Sequence, residues 1–161
     1  MVENIKLILF SFTASFGFGI VFHIKKEYLI WAGLGGALTR LSYLLLLEII
    51  DKRFVYTLLA AIIASLYAEI MALELKTPST VFLYPAIIPL IPGGLLYNTA
   101  VNFFLHETAL MLENARDCAL TLVGMSIGFV LISTFTYYRR VYFFSKDIAS
   151  HFLHYSHRKN S

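Results

Sequence analysis

Four stretches of apolar sequence, each long enough to cross a lipid bilayer, constrain this chain more than any other feature. A spanning helix needs about 20 mostly apolar residues. The stretches run from Leu7 to Ile24, from Tyr28 to about Leu47, from Phe54 to about Leu73 and from Cys118 to Tyr138. Most of the charged residues lie between these stretches or in the C-terminal tail. The pattern predicts a bundle of membrane-spanning helices.

The composition excludes the main classes of soluble protein. Charged residues make up 14% of the 161 residues and hydrophobic residues 58%, whereas a soluble globular protein carries about 25% charged residues. A soluble protein of this size needs more polar surface than the chain can provide. The net charge is +3, and most positive residues occur singly or in pairs. We therefore expect the lipid bilayer, and no nucleic acid, as a partner.

Sequence patterns for enzymes and bound cofactors are missing. The single cysteine, Cys118, excludes an intrachain disulfide and a multi-cysteine metal site. The sequence contains no glycine-rich phosphate loop, no nucleophile elbow and no H-E-x-x-H metal sequence. We expect a protein that is not an enzyme and that carries neither a cofactor nor a metal.

Between the third and fourth stretches lies an apolar segment that proline and glycine interrupt. Pro92-Gly93-Gly94 cannot belong to a continuous helix. We predict a half-helix over about Val81 to Leu90, a break at Pro92 to Gly94, and a second helix from Leu95 to about Glu113. Uncovered backbone cannot face lipid, so the break should face protein or a water-filled cavity. A loop between two short amphipathic helices is the alternative, and residues 81–104 either cross the bilayer or re-enter it.

The predicted fold is therefore an all-α integral membrane protein with about five transmembrane helices, four of them clear and one broken. Residues 1–138 would form the transmembrane domain, and residues 139–161 a basic, amphipathic helix on the cytoplasmic side. With five spans, four Lys and Arg residues lie on the N-terminal side and eight on the C-terminal side. Cytoplasmic loops carry the excess of Lys and Arg, so the C-terminus is expected in the cytoplasm. The side of the N-terminus depends on the span count.

Two charged residues fall inside predicted spans, where charge is costly and usually marks a pathway or an internal partner. Arg40 shares a helix face with Gly33 and Gly36, where a neighbouring helix can approach closely. Its guanidinium would bind a carboxylate through two hydrogen bonds. Alternatively it forms a structural pair with an acidic residue such as Glu69. Glu69 in turn is a candidate proton carrier or a partner of Arg40.

A polar stripe follows the break. Asn98, Asn102 and His106 are spaced i, i+4 and i+8, so one helical face would carry all three. Such a stripe either lines a cavity or makes hydrogen bonds to other helices. His106 is a second candidate for proton coupling. The N-terminus of the helix after the break would attract an anionic group such as a carboxylate.

Three sequence runs carry a resemblance to a known family. The runs Ser15–Phe22 and Trp31–Arg40 resemble the opening of the small, YjjB-type subunit of the threonine/serine exporter family. The run Tyr84–Gly94, followed by Tyr97, resembles the P-x-x-P-G core of that family. The similarity extends over nearly the whole chain.

The resemblance implies a subunit of a secondary exporter, equivalent to the C-terminal half of the longer single-chain members. A second membrane subunit would complete it, in a homo- or hetero-oligomer in the bacterial inner membrane. Its substrates would be small carboxylates, either threonine and serine or a C4-dicarboxylate such as succinate, and the proton motive force would drive their export. The alternative is a structural or assembly subunit that does not itself transport. Motif and helix geometry together give these candidate substrate-binding residues: Arg40, Pro89, Pro92, Gly93, Gly94, Tyr97, Asn98 and Asn102.

Overall fold

Each of the four long apolar stretches forms a helix in the computed structural model, which describes the backbone of residues 2–159 and the side chains of residues 2–139. Within that part of the chain there are helices and no strands. A short 3-10 turn, Ile88–Leu90, directly follows the helix that ends at Ile87. The six helices are α1 (Val2–Val21), α2 (Lys26–Ile49), α3 (Arg53–Glu74), α4 (Thr80–Ile87), α5 (Gly93–Phe104) and α6 (Thr108–Lys159).

The number of candidate spans agrees with the prediction. The helices α1, α2, α3 and the Thr108–Arg139 part of α6 are long and apolar enough to cross a membrane. Thr80–Leu90 and Gly93–Phe104 form a fifth candidate, a helix pair bent by 44° at a short break. The expectation of an all-α membrane protein is confirmed, with four helices of spanning length among the described residues, or five if the bent pair is one span. That the bent pair crosses the membrane stays a prediction.

Small side chains form the centre of the bundle and large apolar ones its outer surface. On α3, Ala60, Ala64 and Ala68 are at most 1% exposed. By contrast, side chains such as Phe10 and Ile49 are 70% or more exposed. This is the distribution expected where lipid solvates the outside and small residues allow helices to pack closely.

The helix α6 packs along α3 through two glycines spaced four residues apart. A Cβ atom added at Gly128 would lie 2.7 Å from Ala61 Cβ and 2.8 Å from the Leu58 carbonyl oxygen. At Gly124 it would lie 2.8 Å from the Phe54 carbonyl oxygen. The order of these contacts shows that α3 and α6 run in the same direction. Two backbones therefore approach closely along this seam, as small residues at this spacing allow.

Two predicted boundaries were wrong. The second helix after the break ends at Phe104, not near Glu113, and the last helix begins at Thr108, ten residues before Cys118. The chain reverses at Leu105 to Glu107, and His106 adopts the left-handed conformation with φ 58. Helix α6 then passes through the charged pair Arg116 and Asp117, and Asp117 forms an ion pair with Arg53.

Three helices end in the same kind of turn. His23, Lys76 and His106 follow the ends of α1, α3 and α5 with φ values of 55, 50 and 58. The amide after each of them donates to a carbonyl five residues earlier in the helix, at 3.0 Å in all three cases. Glycine is the usual residue at this left-handed position. Here the position carries a basic side chain each time.

The helix α6 continues without a break to Lys159. The amphipathic cytoplasmic tail expected over residues 139–161 falls almost entirely on side chains outside the described residues, so it stays a prediction.

Candidate functional site

The interface between α1 and α2 positions the intramembrane arginine. A Cβ atom at Gly33 would lie 2.8 Å from the Phe12 ring, and one at Gly36 would collide with the Ser15 side chain. Both glycines therefore face α1 at close range. Arg40 follows Gly36 by one helical turn and so lies on the same face of α2.

Arg40 is half-buried, and its guanidinium is incompletely paired. The Nε atom is buried and has no hydrogen-bond partner among the described residues. The Cζ atom lies 5.4 Å from the centre of the Tyr43 ring, within the range of a cation–π contact. A buried donor without a partner is uncommon and calls for an explanation, such as a ligand group that accepts from it.

Tyr43 links Arg40 to the interrupted segment. Leu90, the last residue of the 3-10 turn, belongs to a buried cluster with Ala60 and Ala61, and Tyr43 packs against this cluster. The 3-10 turn contacts both α1 and α2. Arg40 and the interruption therefore lie at a similar depth in the bundle. The sequence interpretation missed Tyr43; its spacing of three residues from an intramembrane arginine was the available signal.

The break itself is shifted from its predicted place. It comprises Ile91 and Pro92, and the glycines predicted to be part of it, Gly93 and Gly94, are the first residues of α5. Neither glycine has a positive φ, and a Cβ atom on either would meet nothing within 4 Å. Proline is well suited to the start of a helix because its missing N–H would have no intrahelical partner there. Pro92 is buried, and Pro89 is half-buried in the 3-10 turn.

The helix α5 stands apart from the α1–α4 bundle. It buries none of its residues, and its main contacts are with α6. Tyr97 is 70% exposed, Asn98 is exposed and Asn102 is half-buried. His106 was predicted on the same face, and this was wrong because it lies in the turn after α5 with left-handed backbone. The helical polar stripe therefore ends at Asn102.

Glu69 lies at a different level from Arg40. The Tyr67 hydroxyl donates to the Trp31 carbonyl oxygen at 2.7 Å, so this part of α3 packs beside the first turns of α2. Arg40 is nine residues beyond Trp31, which corresponds to about 13 Å along a helix. Glu69 is half-buried at its own level. The fold thus brings together Arg40, Tyr43 and the segment around Pro89 and Pro92, with the backbone of Glu69 further along the bundle.

Comparison with known proteins identifies the family. A family model described as "Threonine/Serine exporter, ThrE" matches residues 7–135. Searches of curated proteins and of solved structures found no significant match. The matched residues include most of α1, all of α2 to α5 and most of the membrane-length part of α6, so the match covers most of the helical bundle described above. The chain is a multi-pass membrane protein that belongs to the threonine/serine exporter family.

Proposed function

We propose that this chain is one subunit of a secondary exporter of small carboxylate-bearing metabolites, and that Arg40 binds the carboxylate. The observation that carries the proposal is the buried Arg40 Nε without a hydrogen-bond partner. Family membership supports an exporter. Threonine, serine and succinate, the substrates that the resemblance suggests, all carry a carboxylate.

The geometry of Arg40 suits this role. A guanidinium presents its donors in one plane, so one edge can bind both oxygens of a carboxylate. The Tyr43 ring lies against the guanidinium at 5.4 Å and would hold its plane in place. In a half-buried site these charge-assisted hydrogen bonds are stronger than in bulk water.

The interrupted segment supplies the moving part in this proposal. The short helical elements on either side of Ile91 and Pro92 can change their relative angle with few hydrogen bonds to break. The start of α5 has open space, since a side chain at Gly93 or Gly94 would meet nothing within 4 Å. A change of angle at the break would shift the 3-10 turn, which contacts α1 and α2, and so open or close access to Arg40 from one side of the membrane, as alternating access requires. Proton uptake at Glu69 or His106 is the proposed coupling to the proton motive force.

A second membrane subunit is part of the proposal. In this chain α5 buries no residue, although it carries Asn98 and Asn102, and polar side chains facing lipid are costly. A partner that packs on α5 would cover them. The C-terminus is proposed to be cytoplasmic, in the bacterial inner membrane, from the distribution of Lys and Arg.

The test is transport by the purified protein in liposomes, with and without the second subunit. Efflux of labelled threonine, serine and succinate is followed under an imposed pH gradient. Arg40→Gln should abolish efflux, whereas Arg116→Gln, which changes an exposed arginine at the end of the bundle, should leave it unchanged. Gly93→Leu should slow efflux without loss of folding, because the added side chain has room.

Two results would contradict the proposal. If Arg40→Gln transports as the unchanged protein does, Arg40 is not the carboxylate site. If the second subunit alone transports at the full rate in liposomes, this chain is a structural or assembly subunit, which is the alternative function.

A further inference from the structure

A cleft lies at the end of the bundle where α1 and α3 finish, well away from Arg40. Two loops form it, residues 22–25 between α1 and α2 and residues 76–78 between α3 and α4, and we call it the two-loop cleft. Its volume is about 420 Å³. That is within the range of known small-ligand sites, which is roughly 300–1,000 Å³.

The lining of the two-loop cleft is basic. His23, Lys25 and Lys76 contribute to it, and no Asp or Glu does. The nearest carboxylates in sequence, Glu27 and Glu74, are exposed and lie outside the lining. The Tyr28 ring and apolar side chains form the remaining wall. A cleft whose charged lining residues are all basic favours an anionic occupant.

One residue that lines this cleft also carries a buried hydroxyl group without a hydrogen-bond partner in the described part of the chain. Thr77 Oγ1 is buried and has no hydrogen-bond partner among the described residues, and Thr77 lines the cleft. Buried hydroxyl groups are normally hydrogen-bonded. If the Thr77 side chain turns toward the cleft, an oxygen atom of a bound anion would accept from this hydroxyl while lysine side chains balance the charge.

Two basic residues of the cleft adopt a backbone conformation that favours glycine, which indicates that their side chains are needed there. His23 and Lys76 adopt φ values of 55 and 50, a conformation that glycine adopts with less strain. A positive charge after a helix end interacts favourably with the helix dipole, and this applies to all three such turns. The helix dipole accounts for the basic residues at these turns. It does not account for the two-loop cleft or for the unpaired Thr77 hydroxyl.

We propose that the two-loop cleft binds an oxyanion group, phosphate or carboxylate, through Lys25, Lys76 and the Thr77 hydroxyl. The position at the ends of two spans is where phospholipid headgroups lie, and basic pockets between membrane helices bind such groups. A carboxylate solute that approaches the bundle would offer the same chemistry. The proposal does not depend on transport or on the role of Arg40.

The experiment separates these two sources with two probes on the full-length chain in phosphatidylcholine nanodiscs. Phosphatidylglycerol binding is measured by native mass spectrometry, and succinate binding by titration calorimetry. The succinate measurement is also made in an Arg40→Gln background, so that binding at Arg40 is not counted.

The test variant combines Lys25→Gln with Lys76→Gly, and the control is Lys26→Gln. Glycine at position 76 removes the charge but suits the left-handed backbone, so the variant should fold at least as well as the unchanged protein. Lys26 is the neighbouring lysine and does not line the cleft. Because Lys25 and Lys76 are exposed, their contacts with an anion are weak, and the loss of affinity in the test variant should be on the order of tenfold, with little change in the control.

A loss confined to phosphatidylglycerol would identify a lipid headgroup as the occupant, and a loss confined to succinate would identify a solute. Either result supports the oxyanion site. Unchanged affinity for both probes in the test variant would overturn the proposal. An equal loss in Lys26→Gln would do the same, because the effect would then come from general surface charge.

Discussion

The seam between α3 and α6 makes a quantitative prediction about folding. Replacing Gly128 by alanine adds one methyl group at a point where Ala61 Cβ is 2.7 Å away and the Leu58 carbonyl oxygen 2.8 Å away. Carbon atoms in contact prefer a separation of about 3.5–4.0 Å. The two helices must therefore move apart by about 0.8 Å or more, since a backbone carbonyl cannot rotate away as a flexible side chain does.

A separation of this size weakens the whole seam. A gap of about 0.5–1 Å forfeits a quarter to a half of the dispersion attraction between contacting atoms. Overpacking of a well-packed interior typically costs about 1–3 kcal/mol. The Gly17→Ala variant is the matched control, because Gly17 is also inside a helix and its added methyl group would meet nothing within 4 Å. Both variants exchange glycine for alanine, so the gain in helix propensity largely cancels in the comparison.

The measurement is the free energy of unfolding in mixed detergent micelles, by titration with a denaturing detergent. We expect Gly128→Ala to be less stable than Gly17→Ala by about 1–3 kcal/mol. If the two variants have the same stability, the backbones of α3 and α6 do not approach as closely as described. That result would refute the reasoning, whatever the absolute stability of the protein.

Three further predictions concern single contacts. Tyr43→Leu should weaken substrate binding about two- to fivefold through loss of the cation–π contact with Arg40. Tyr43→Phe keeps the ring and should keep most of the affinity. An equal loss of equilibrium binding in the two variants would contradict this. The Arg53 and Asp117 side chains form an ion pair at 2.9 Å and are 31% and 30% exposed. A double-mutant cycle of the free energy of unfolding should therefore give a coupling energy of about 0.2–1 kcal/mol. A value well above this range would show that solvent screens the pair poorly. His106→Gly should stabilise the fold by about 1 kcal/mol because glycine adopts φ 58 with less strain; a drop in the free energy of unfolding would indicate that the side chain makes a stabilising contact.

The apolar stretches and their breakers predicted the helices because both act locally. Length and hydrophobicity are sufficient to place α1, α2 and α3. A proline likewise interrupts a helix whatever surrounds it, so the interruption near Pro92 was predictable to within a residue or two. The side on which each helix packs depends on its neighbours, and the sequence alone does not contain that information in a form that can be read locally.

The errors have the same origin. Arg116 and Asp117 look like the end of a span when read singly, but Asp117 pairs with Arg53, which is 64 residues earlier in the chain. His106 fits a helical stripe by spacing, but it adopts the left-handed backbone of the turn after α5, which spacing alone does not reveal. Tyr43 went unnoticed because its importance comes from Leu90 and the cluster around it, which only the folded bundle brings near.

The central claim is that Arg40 binds the carboxylate of the transported molecule. Equilibrium binding of labelled substrate to the reconstituted exporter, without a gradient, tests it most directly because coupling and movement play no part. We predict a loss of affinity of about 10- to 150-fold for Arg40→Gln, a smaller loss for Arg40→Lys, which keeps the charge but not the paired donors, and no change for Arg116→Gln. Unchanged affinity in a correctly folded Arg40→Gln protein would contradict the claim.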